Sequence, residues 1–160
     1  MPRKMVNCNE MMKIKISKCL EVAMATLVFK LKRDGVVTSY VDRLALELIA
    51  DDSTFASSIT SLMLGDDAKS VVCERIRELV GCASNIETEE PEVYFKSICK
   101  TLFRQTNASK LSSAHMLCWA LRNSGSATAK AFLEHGIIAE EVVDVMYQLA
   151  SSTDDDKTNI

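Results

Sequence analysis

Residues 16–31 read Ile16-Ser17-Lys18-Cys19-Leu20-Glu21-Val22-Ala23-Met24-Ala25-Thr26-Leu27-Val28-Phe29-Lys30-Leu31. Ile16, Cys19, Leu20, Ala23, Met24, Leu27, Val28 and Leu31 recur at steps of three and four. That spacing puts them on one stripe of an α-helix. Lys15, Lys18, Glu21, Lys30 and Lys32 fall mostly off the stripe. The helix is expected to stop at Asp34-Gly35, because glycine reaches the left-handed conformation that ends a helix.

The same period continues downstream. Thr38 and Ser39 offer caps for a second helix, buried through Val41, Leu44, Ala45, Leu48 and Ile49. Asp51-Asp52-Ser53 gives a break, and a short third helix carries Phe55, Ile59, Leu62 and Met63. Beyond Gly65-Asp66 a fourth presents Ala68, Val71, Val72, Ile76, Leu79 and Val80, with Gly81 as terminator. Residues 82–90 are polar and acidic and read as an internal linker. Pro91 suits the first turn of a new helix, where its missing N–H costs nothing. That helix holds Tyr94, Phe95, Ile98, Cys99, Leu102 and Phe103. Ser112 or Ser113 caps a helix with Met116, Leu117, Ala120 and Leu121. Ser124-Gly125-Ser126 precedes a short helix with Ala129, Phe132 and Leu133, ended by Gly136. The last helix shows Val142, Val145, Met146 and Leu149.

Only 5 Gly and 2 Pro occur in 160 residues, too few for the tight turns of an all-β fold. The expected fold class is all-α, with eight helices in one compact domain. The net charge of -3 disfavours a nucleic-acid binder, which needs concentrated positive charge against phosphates. The basic clusters at Arg3–Lys18 and at Lys30, Lys32 and Arg33 read as solvated helix faces. No apolar run approaches the ~20 residues of a membrane span, and no signal-peptide core follows the start. A cytoplasmic protein is expected. Among Cys8, Cys19, Cys73, Cys82, Cys99 and Cys118, four (19, 73, 99, 118) fall on apolar stripes and read as reduced core residues.

The second half repeats the first. An offset of 73 carries Ser39 onto Ser112, Leu44 onto Leu117, Leu48 onto Leu121, Ala56 onto Ala129, Ile59 onto Phe132 and Val72 onto Val145. No gap is needed over roughly forty positions, breaks included. The expectation is two four-helix repeats, 14–81 and 91–150, related by a pseudo-twofold. Residues 1–13 are expected to form an N-terminal extension, and residues 151–160 a polar flexible tail or linker.

The run Ser112-Ser113-Ala114-His115-Met116-Leu117-Cys118-Trp119-Ala120-Leu121, followed by Ser126-Ala127-Thr128-Ala129-Lys130-Ala131-Phe132-Leu133-Glu134-His135-Gly136-Ile137, resembles the amino-terminal domain of Clp-type AAA+ unfoldases. The likeness covers about residues 14–150, and the second repeat carries it more clearly than the first. It implies a tandem of two four-helix repeats that docks substrates or adaptor proteins for an ATP-dependent unfoldase or protease. Chemistry is not implied for the domain itself. Two placements stay open beside this one: a free-standing accessory subunit of a Clp complex, and the recognition domain of a secretion-system ATPase that disassembles a sheath. The chain departs from the family pattern as a divergent member would. Ala114 stands where many members carry Glu before the motif His; Val41 and Asp42 stand in the first repeat for the Glu-His pair; Trp119 replaces a small residue. An unrelated all-α enzyme with an accidental repeat is the rival class.

Residue chemistry supports binding over catalysis. His115 and Cys118 share a helix face, but structural zinc takes about four ligands and the only other histidine is His135. His115 reads as a capping or packing residue. No metal, cofactor, nucleic acid or membrane is expected, and the Asp154–Asp156 run reads as solvated charge. Met11, Met12, Met24, Met63, Met116 and Met146 read mainly as core. An apolar partner segment is expected in the groove between the repeats. Phe29, Tyr40, Phe103 and Trp119, aromatic and partly off the main stripes, are the nominated partner contacts.

Overall fold

A computed structural model describes residues 14–149. Cys8, Met11, Met12, the 1–13 extension and the 151–160 tail lie outside the described residues. Eight α-helices follow in order: α1 Lys18–Asp34, α2 Tyr40–Ala50, α3 Phe55–Leu64, α4 Asp66–Gly81, α5 Pro91–Thr106, α6 Ser113–Arg122, α7 Ala127–Leu133 and α8 Ala139–Leu149. Among the described residues β-pairing is confined to two isolated bridges, Ile16 with Leu111 and Thr38 with Ile86. The fold is all-α.

Local chemistry sets the ends. Ser17 caps α1 by accepting from the Leu20 N–H at 3.2 Å, so Ile16 lies ahead of the helix in the bridge to Leu111. Gly35 ends α1 at φ 66°, its N–H facing the carbonyls of Leu31 and Lys32. Asn107 does the same after α5 at φ 54°. Asn tolerates this conformation better than most residues with a Cβ. Ser39 precedes α2 in a left-handed conformation without a side-chain cap bond. Thr54 caps α3; Gly81 lies inside α4, and Cys82 follows as its C-cap. Pro91 opens α5 as expected.

One core runs through the molecule. Leu20, Leu44, Leu48, Ile49, Ile59, Ile76, Leu111, Leu117 and Phe132 are fully buried. Each such aliphatic contributes roughly 1.5–3 kcal/mol by leaving water. Leu62, Val71 and Leu133, expected inside, are exposed. Val71 and Leu133 each neighbour a residue that takes the inner position, Val72 and Phe132 being wholly enclosed.

The helix contacts across the two halves are reciprocal. First helix meets first (α1 with α5), and second meets second (α2 with α6). Second meets third in both directions (α2 with α7, α3 with α6), as does third with fourth (α3 with α8, α4 with α7). The bridges follow the same exchange: the residue ahead of each first helix pairs with the residue just ahead of the other half's second helix. Buried hydroxyls repeat too. Thr54 donates to the Leu48 carbonyl at 2.6 Å, and Ser126 to the Ala120 carbonyl at 2.7 Å. That correspondence is an offset of 72, whereas Ser39 and Ser112 differ by 73. The register slips because α2 has 11 residues and α6 has 10. The ungapped match therefore breaks at the third helices, and the fourth, starting at Asp66 and Ala139, are 73 apart again.

A candidate docking groove between the first helices of the two halves

Residues Ile14 and Ile16 approach α1 in extended conformation, so their side chains point the same way. The strand-like segment is held by Leu111, whose N–H donates to the Lys15 carbonyl at 2.8 Å and whose carbonyl accepts from Ser17 at 2.7 Å. Met24, Ala25 and Val28 project from α1 at helical spacing. Phe95 and Cys99, four apart on α5, form the floor and are 2% and 3% exposed. Together they line a groove of about 540 Å³, rimmed on the α5 side by Glu92, Lys96 and Lys100. Lys32 reaches across from α1 to Glu92 on the rim, Nζ to carboxylate at 2.5 Å.

The α1 stripe continues past the groove. Ala25 and Phe29 lie four apart, and Val22 and Phe29 are 53% and 65% exposed. The Arg33 guanidinium stands 5.8 Å from the Phe29 ring centre. Phe29 is thus a surface residue beside the groove. Trp119 is half-buried elsewhere, in a second, polar cleft of about 470 Å³. Val41, Asp42, Tyr94, Asn123 and Lys130 share that cleft with it. Trp119 therefore does not fill the apolar groove. Phe103 is half-buried against the core.

Tyr40 is not a surface contact. It is 1% exposed, its ring meets Tyr94 edge-on at 5.2 Å and Phe95 at 6.2 Å, and its hydroxyl donates to the Glu89 carbonyl at 3.4 Å. As the first residue of α2 it points inward under α5, a position invisible without knowing how the two first helices cross. The four nominated aromatics are thus spread over three environments. Ile14, Ala25, Phe95, Cys99, Lys96 and Lys100 went unnominated. The signal available for α1 was its width: its apolar residues exceed what one buried stripe requires, and only Leu20, Leu27 and Leu31 are buried.

The cysteines are set by burial. Cys99 and Cys118 have thiols pushed up to about 11 by desolvation, and that of Cys73 is also raised by burial. A thiol in that state is a poor nucleophile at neutral pH. His115 is occupied by its helix start: its Nδ1 accepts from the Ser112 N–H at 2.9 Å, completing a reciprocal cap. Among the described residues no cluster of three or more His, Cys, Asp or Glu could hold a metal ion. No described helix is long and apolar enough to cross a membrane.

Comparison with family models, with curated proteins and with solved structures gives no match.

Proposed function

We propose that this chain is a protein-docking domain of the kind that heads Clp-type unfoldases. In this reading it holds an apolar segment of a substrate or adaptor between α1 and α5 and performs no chemistry itself. The observation that carries the reading is the open apolar groove at the seam of the two halves. Water-exposed apolar surface is costly to maintain, and contiguous patches mark binding sites. Clefts between subunits of a fold are a usual place for ligands. The reciprocal helix contacts and the His115 cap support the tandem-repeat part of the proposal, together with the sequence likeness over residues 112–137.

Ala25→Arg tests it. Ala25 is exposed at the groove wall, and arginine is a good helix former, so the fold is kept while the groove is filled. Binding of a fluorescently labelled, permanently unfolded protein is followed by anisotropy. The variant is expected to bind at least about tenfold more weakly, at an unchanged unfolding midpoint. Wild-type binding by the variant would remove the groove from the account.

A further inference from the structure

The groove's charge specifies its occupant beyond being apolar. Lys96 and Lys100 lie four apart on α5 and both line the groove. That spacing places them side by side on one helix face. The ion pairs among the described residues include neither of them. Glu92, the one carboxylate on the rim, is taken up by Lys32. Among the described residues these two cations beside the apolar groove are thus uncompensated, in a chain of net charge -3. Opposite charge at a rim steers association and selects among partners of equal apolar content.

We infer that the groove selects a helical peptide segment that lays an apolar face on Met24, Val28, Phe95 and Cys99 and sets two acidic residues, one turn apart, against Lys96 and Lys100. This rests on the docking reading above and adds the partner's charge. A helix fits the shape: apolar anchors at steps of three and four fill a groove between two helices. An anionic membrane fits less well, because interfacial binding uses a projecting apolar face, whereas here the apolar residues line a depression.

Three labelled helical peptides of identical length and apolar positions test the inference against the full chain. They carry Glu, Gln or Lys at the two flanking positions, and anisotropy is read at low and high salt. The Glu peptide is expected to bind about fivefold tighter than the Gln peptide, and the Lys peptide weakest, in line with partly exposed ion pairs. The gap narrows at high salt. Lys96→Glu with Lys100→Glu is expected to reverse the order, and Ala25→Arg to weaken all three. Equal binding of the three peptides, all lost in Ala25→Arg, overturns the charge inference and leaves the docking reading standing. Failure to bind any peptide, or the unfolded protein, overturns both. Tight binding to anionic vesicles that needs Lys96 and Lys100, with no peptide preference, overturns the peptide assignment in favour of a membrane surface.

Discussion

The Asp42 carboxylate accepts hydrogen bonds from both the backbone N–H of Thr128, at 2.9 Å, and its hydroxyl, at 2.7 Å. Thr128 is the second residue of α7, so an acid from the first half satisfies an open amide at a helix start in the second. The favour is returned. Ser113, at the start of α6, accepts from the N–H of Ala56, the second residue of α3, at 2.8 Å. Each half's second helix thereby caps the other half's third helix.

Removing either cap should weaken the whole fold. Asp42→Ala is expected to cost about 1–3 kcal/mol, the range for hydrogen bonds to a charged group or a stranded buried donor. Ser113→Ala, at a fully buried position, is expected to cost about 1–3 kcal/mol for the same reason. Urea unfolding measures both. A double cycle of Asp42→Ala with Thr128→Val should show coupling, because both changes remove the hydroxyl–carboxylate bond, while the backbone N–H bond is lost only with Asp42. Independent, additive costs would mean the bond contributes little.

The His115 cap predicts a graded series. His115→Gln keeps a side-chain acceptor for the Ser112 N–H, whereas His115→Ala removes it. The alanine variant is expected to lose about 0.5–2 kcal/mol and the glutamine variant distinctly less. Thermal melts of the two against wild type decide it. Equal losses would assign His115 a packing role instead.

Acid should loosen the ion pair between α1 and α5. The Lys32 hydrogen bond holds the Glu92 carboxyl below its ordinary value of 4.5. Lys69 likewise lowers Asp52 from 3.8, through a 3.0 Å hydrogen bond. A carboxylate with a depressed folded-state pKa stabilises above its unfolded value and loses that contribution as pH falls through the folded one. The unfolding midpoint is therefore expected to drop as pH is lowered below about 4.5, the ordinary Glu92 value. Lys32→Met should shallow that drop. An acid limb identical in wild type and Lys32→Met would show that the pair is without weight.

Thiol labelling separates surface from core. Cys82 is exposed, whereas Cys73, Cys99 and Cys118 are buried. In a Cys8→Ser background, a disulfide reagent at pH 8 should modify Cys82 quickly. It should reach Cys99 and Cys118 only in denaturant, given thiols near 11. Rapid labelling of Cys99 in the native protein would mean that the groove floor opens.

Much of this was legible in the chain. Eight helices, the Gly35 stop and the Pro91 start follow from period and cap chemistry, because these depend on neighbours in sequence. The site was less so. Tyr40 looked available because it lies off the α2 stripe, yet the crossing of α1 and α5 encloses it. Phe95 and Cys99 looked like core, and they are, but the same side chains floor an open groove. Asp42 gave no local sign that it caps a helix 86 positions away. Contacts set by the meeting of the halves have no period to betray them.

The central claim is that a partner segment lies between α1 and α5. Amide chemical shifts of the labelled full chain, followed while an unfolded protein is titrated in, test it most directly. Perturbations are expected to concentrate at Ile14, Met24, Ala25, Val28, Phe95, Lys96 and Cys99, the groove's own residues. Perturbations confined to the polar cleft around Asp42, Trp119 and Lys130, with those amides unmoved, would contradict the account.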